Sequence, residues 1–276
     1  MKSVFAALLS LAALPLALGF RAPVAPSVTV TAHDYSLELP DTLPAGAVTL
    51  RLVNQGKELH HIWMARMEGG HTIDDVLKGL AARQPLPSWL QDIGGPNAPR
   101  PEGGEATVTV TLEPGTYVVA CLIPSKDGVS HMMKGMVRQV TVVTTSRPAR
   151  TPKADAVMTL RDYTFFLSRP LSAGKHVLEV RNEGTQWHEF ELVQLAPGKT
   201  PQDVVDFIER GVGTPPGLPL GGVSPLAVGR TSYMHVDLEP GRYALICFLT
   251  DRKDGRAHYQ HGMMQEFQVS EKLAAR

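Results

Sequence analysis

Tyr117-Val118-Val119-Ala120-Cys121, followed after a loop by His131-Met132-Met133-Lys134-Gly135-Met136, returns as Tyr243-Ala244-Leu245-Ile246-Cys247 and His258-Tyr259-Gln260-His261-Gly262-Met263. Working outward, the match continues in one order. Asn54-Gln55-Gly56-Lys57-Glu58-Leu59-His60 falls on residues 182–188, and His33-Asp34-Tyr35-Ser36 on Arg161-Asp162-Tyr163-Thr164. Thr72-Ile73-Asp74-Asp75-Val76 falls on Thr200-Pro201-Gln202-Asp203-Val204, and Glu113-Pro114-Gly115 on Glu239-Pro240-Gly241. The offset drifts only between 126 and 128 residues, as loop insertions and deletions would make it. A match this long predicts two similar domains in tandem.

The 276 residues are long enough for two ordinary domains. We expect a first domain over 24–146, a linker over 147–153 stiffened by Pro148 and Pro152, and a second domain over 154–272. Within each copy the apolar residues alternate. Val48-Thr49-Leu50-Arg51-Leu52-Val53 and Thr107-Val108-Thr109-Val110-Thr111-Leu112 have the period of two that a half-buried strand requires. The Glu-Pro-Gly triplets are turns, with Pro presetting φ and Gly free to take a positive one. Thr72 and Thr200 are N-cap residues of one short helix per copy, and Pro201 suits the first helical position. The predicted fold class is all-β: two tandem Greek-key β-sandwiches, each with a short inserted helix.

The amino terminus reads as a secretory signal over residues 1–19. Lys2 gives the positive start, residues 4–18 are an apolar run, and Ala17 and Gly19 are the small residues a peptidase accepts, so cleavage is expected near Gly19/Phe20. The run is short for a spanning helix, and Phe20 is not the Cys of a lipid anchor. These features predict a periplasmic or secreted protein with no stable membrane insertion after signal removal. Basic and acidic residues balance at 27 each, and removal of Lys2 leaves one excess acid. No nucleic-acid partner is expected from such a mixed surface.

Only two cysteines occur, Cys121 and Cys247. A disulfide is the ordinary reading in an oxidising compartment, but equivalent interior positions of two sandwiches should lie too far apart to bridge. A small buried hydrophobe is the other ordinary role. What favours chemistry is recurrence: His60, Cys121, His131 and Met136 in one copy match His188, Cys247, His258 and Met263 in the other. A thiolate and two imidazoles with a weak thioether suit copper cycling between two oxidation states, whereas structural zinc rarely uses Met. His61 is a rival ligand in the first copy, but its counterpart is Glu189. Met136 and Met263 could also be core residues. Met132, Met133 and Met264 read as loop packing, or as thioethers that help pass cuprous ion. His33, His71, His176, His235 and His261 read as solvated or locally hydrogen-bonded, and Trp187 as packing near His188.

On these motifs each copy resembles a cupredoxin, the blue (type 1) copper family that includes plastocyanin and azurin. The resemblance covers nearly the whole mature chain. It implies two copper ions, one per domain, and one-electron exchange with a redox partner protein through the edge of a loop histidine. Nine and ten residues separate Cys from the second His. This long loop resembles the type 1 site of copper nitrite reductase, also a two-domain protein. Such an enzyme would need a His beside the site Cys, where Ala120 and Ile246 stand, and multicopper oxidases need His-x-His pairs, which are missing. No enzymatic activity is therefore expected. The open functional readings are an electron carrier, a copper buffering or delivery module, and a metal-free scaffold.

Overall fold

The computed structural model describes residues 23–82 and 87–271, so the expected signal over 1–19 and residue 272 of the second domain lie outside the described residues. Seventeen strands and two short α-helices among the described residues make the fold all-β. In the first copy, strands Ser27–His33, Gly46–Asn54 and Gly104–Leu112 form one layer. Strands Thr42–Pro44, Val137–Val143, Gly115–Ala120, Trp63–Met67 and Leu90–Asp92 form the facing layer. The second copy repeats this with Ala156–Arg161, Gly174–Asn182 and Thr231–Leu238 against Gly217–Leu226, His188–Leu195, Gly241–Ile246 and Met264–Val269.

The alternation does what it predicts. Val48, Leu50 and Leu52 point into the core, while Thr49, Arg51 and Val53 are only half-buried. Each Glu-Pro-Gly turn is locked by a tyrosine buried beneath it: Tyr117 donates its hydroxyl to Glu113 O and Tyr243 to Glu239 O, both at 2.8 Å. The helices Ile73–Ala81 and Pro201–Arg210 start where expected. Asp75 N and Asp203 N donate to the Thr72 and Thr200 hydroxyls, and each Asp carboxylate accepts from its cap residue's N–H. Each helix covers a small apolar cluster outside its sandwich.

The two halves share one sheet. Gly104–Leu112 pairs with Thr231–Leu238, its own counterpart, antiparallel, so the two inner layers merge into eight strands. Val108 faces Met234, the equivalent residue, while Thr107 faces His235 and Thr109 faces Tyr233. That register is two-fold symmetric. The crossing loops obey the same symmetry, because Ser224 Oγ donates to Ile62 O at 2.7 Å and Asn97 Nδ2 to Phe190 O at 3.2 Å. A single apolar core cluster runs through both copies. An otherwise open strand edge in each half is thereby paired.

Candidate metal centres

Both cysteines are free and buried, each one residue past a strand end. The long loop after each Cys folds outward as a hairpin. Ser125 N–H donates to Val129 O and Gly128 N–H to Ser125 O, at the predicted Asp127-Gly128 turn. The chain then returns, with His131 N–H on Ile123 O at 2.9 Å and His258 N–H on Leu249 O at 2.7 Å. The extra residues therefore leave the histidine beside the cysteine. Each histidine opens a short 3-10 turn that ends on Gly135 or Gly262 with φ of 110° or 101°, a conformation that favours glycine. Met136 and Met263 follow at once. Cys121 N–H donates to Met136 O and Met136 N–H to His131 O, and the second copy has the same pair of bonds. Met136 and Met263 are fully buried in the core cluster that holds both cysteines.

The other histidine is set by Asn54-Gln55-Gly56. Asn54 accepts from Gly56 N–H at 3.0 Å and donates to Glu58 O at 2.9 Å, which curls the chain toward His60; Asn182 does the same for His188. Asp34 accepts from Lys57 N–H and from His60 Nε2, the latter at 3.0 Å, and Asp162 accepts from His188 Nε2 at 2.8 Å. A Cβ on Gly184 would stand 2.6 Å from both Asp162 Oδ1 and His188 Nε2, and one on Gly56 would crowd the same pair in the first copy. Glycine is thus required at both positions by close approach.

The result is two buried His–Cys–His clusters, His60/Cys121/His131 and His188/Cys247/His258, with ligand atoms within 4.8 Å of one another. Cys121 Sγ lies 3.4 Å from His131 Nδ1, and Cys247 Sγ 3.3 Å from His258 Nδ1. The paired Nδ1 atoms are 3.0 Å apart in the first copy and 3.2 Å in the second. In the first copy Asp34 binds His60 Nε2, and Glu58 binds His131 Nε2 at 2.8 Å. Ionised carboxylates only accept, so both Nε2 atoms donate and both Nδ1 atoms turn lone pairs toward each other. Two lone pairs at this separation repel unless a cation lies between them. Burial pushes the Cys121 thiol up to about 12 and the Cys247 thiol higher still, so a positive charge is needed to draw out either thiolate. Buried thiols and paired imidazole lone pairs fit a soft divalent or monovalent metal ion.

The clusters differ around the loop histidine. Burial raises the Glu58 carboxyl, but hydrogen bonds from His131 and Tyr35 hold it below its ordinary range. Its counterpart Gln186 turns away to Asp251, which also accepts from Tyr163, leaving the buried His258 Nε2 without a partner among the described residues. Burial, then the neighbouring His188, pushes His258 down to about 4. His131 and His258 are 0 % and 1 % exposed, so the expected surface edge of a loop histidine is absent: Glu58 or the Cys–His hairpin covers it. His61 is not in the cluster. Its Nε2 accepts from Leu122 N–H at 3.0 Å, and its own N–H points to Cys121 Sγ. Trp187 packs under Arg252 with its ring 4.4 Å away, Met132 is core, and Met133 is 42 % exposed. His33, His71, His176, His235 and His261 have local partners outside both clusters. Sequence reading missed Asp34, Asp162 and Glu58, although all three sit inside or opposite quoted repeat matches.

No protein-family model and no curated protein matches the chain. Among solved structures, it is similar to auracyanin from Roseiflexus castenholzii, with 22% identity over 45% of this chain and 99% of that one, at a TM-score of 0.31. Auracyanin A from Chloroflexus aurantiacus, a blue copper protein, gives 18%, 43%, 100% and 0.31 for the same four quantities. A copper-containing nitrite reductase from Thermus scotoductus gives 11%, 90%, 63% and 0.26. No helix among the described residues is long and apolar enough to cross a membrane.

Proposed function

We propose that the chain is an exported copper protein with two type 1-like sites that passes single electrons to and from a redox partner protein. The supporting observation is the convergence, in both copies, of a buried cysteine sulfur and two imidazole Nδ1 atoms. His60, Cys121 and His131 hold the first ion, with Met136 as a weak fourth ligand, and His188, Cys247, His258 and Met263 hold the second. Copper, when bound, supplies the one-electron couple. The protein's part is to fix the donors. Asp34 and Asp162 clamp one imidazole each, the Asn-x-Gly turn fixes their approach, and the closed Cys–His–Met backbone leaves the other donors little freedom. A dry, rigid site that keeps its shape in both oxidation states lowers the barrier to exchange. Neither Ala120 nor Ile246 can recruit a second metal beside the cysteine, which favours a carrier over a nitrite reductase.

The visible spectrum of the copper-loaded protein tests this. Strong blue or green absorption, lowered by roughly half in Cys121→Ser or Cys247→Ser and lost in the double variant, is expected for two sulfur-ligated sites. Tight cuprous binding without cupric colour would replace the carrier by copper buffering or delivery. Failure to take up metal would leave a scaffold.

A further inference from the structure

Two of the clefts between the copies share several lining positions that the repeat relates. The larger, about 540 Å³, is lined by Glu58, Leu59 and Lys126 of the first copy and by Glu191, Phe207 and Leu218 of the second. The smaller, about 300 Å³, is lined by the counterparts Gln186, Trp187, Arg252 and Trp63. Among the differences, Trp187 stands where the open cleft has Leu59, and Trp63 where it has Glu191, while Phe207, Ile208 and Pro215 line the open cleft as well. In the closed cleft the Trp187 ring lies under Arg252, while the buried Trp63 indole N–H donates to Asp92 at 2.5 Å. In the open cleft sheet register puts Pro219 at the Asp92 position, with no side chain to pair.

Glu191 is therefore an acid in a place the fold fills elsewhere with tryptophan. It is 5 % exposed, and its buried Oε1 has no partner among the described residues. The backbone N–H groups of Ala98 and Gly221 hold the carboxyl on one side, which leaves the buried Oε1 as the atom a bound molecule would satisfy. At the mouth stand Arg100, Lys57 and Lys126, the two lysines exposed and without a side-chain ion pair among the described residues. The volume is in the range of small-molecule sites.

We propose that the open cleft binds a small aromatic acid. Its ring occupies the space that the Trp187 indole fills in the closed cleft, with Lys126 in the role of Arg252. Its anionic group faces the Lys57, Arg100 and Lys126 rim, and a polar edge meets Glu191. Glu58 lines this cleft and holds His131, so occupancy reaches the first His–Cys–His cluster and not the second.

Titration of the metal-free full chain with 6-hydroxy-2-naphthoate, whose hydroxyl supplies the polar edge opposite the carboxylate, tests the site without depending on the copper reading. Calorimetry should show one site per chain. Leu59→Trp, which copies the closed cleft, and the surface change Lys126→Glu should each weaken binding by about tenfold or more, and naphthalene itself should bind far more weakly. The His131 ring resonances should move, and those of His258 should not. No binding, equal affinity in both variants, equal affinity for naphthalene, or a shift at His258 instead would each overturn the assignment.

Discussion

Glu58→Gln should raise the reduction potential of the first copper site while leaving the second alone. The carboxylate lies 2.8 Å from His131 Nε2, the imidazole ring adds about 2 Å more to reach Nδ1, and a metal–nitrogen bond adds a further ~2 Å, so the charges are separated by roughly 7 Å. At that distance a unit pair is worth about 2.4 kcal/mol at an effective dielectric near 20 and about 0.6 kcal/mol in water. Glu58 is 32 % exposed, and solvent screening brings the interaction to about 1–2 kcal/mol. For one electron that corresponds to a rise of about 40–85 mV. Glutamine keeps an oxygen for the Nε2 proton, so the ring should not turn. Spectroelectrochemical titration of Cys247→Ser, with and without Glu58→Gln, isolates the first site, and nitrogen NMR of the metal-free protein checks that His131 keeps its Nε2–H form. An unchanged potential alongside an unchanged tautomer would refute the reasoning.

Gly56→Ala should weaken copper binding at the first site by about 10–100-fold, because the added methyl must displace either Asp34 or His60; metal competition with a chelator reads this. Loading metal at pH 7 should release about one proton per site, since burial keeps the Cys121 and Cys247 thiols protonated beforehand, and a pH-stat measures it. Burial pushes Asp92 up to about 7, partly offset by the Trp63 indole. The folded chain then binds a proton that the unfolded chain has lost, so this group makes stability fall from about pH 4 to about pH 7 and stay level above. Asp92→Asn should flatten that slope and raise the urea midpoint at pH 8 more than at pH 5. A variant with the parent's slope would show that Asp92 is not the proton acceptor.

Much of this was legible in the sequence because repetition supplies a control. Alternation marked the long strands, the threonines marked both helix starts, and the coincidence of Cys and His in two copies singled out the six residues of the two His–Cys–His clusters. What escaped notice has physical reasons. Asp34 and Asp162 are distant in sequence from the histidines they hold, and a carboxylate beside a Tyr looks like any turn residue. Burial of His131 and His258 depends on Glu58 and on how the Cys–His hairpin folds back, which no local pattern encodes. The shared sheet was invisible for another reason: a strand of period two looks the same whether its edge meets water or another strand.

The seam between Gly104–Leu112 and Thr231–Leu238 is the joint a symmetric homodimer would use, each strand meeting its own likeness about an axis near Val108 and Met234. In such a dimer any substitution is made twice, and both clefts must stay alike. Duplication and fusion into one polypeptide lift that constraint while the tether keeps the partners together. Here one cleft holds Trp63 and Trp187 while its twin carries Glu191. One loop histidine holds a carboxylate at its Nε2 and the other holds none among the described residues. Such asymmetry is open to one chain carrying both copies and closed to a symmetric pair.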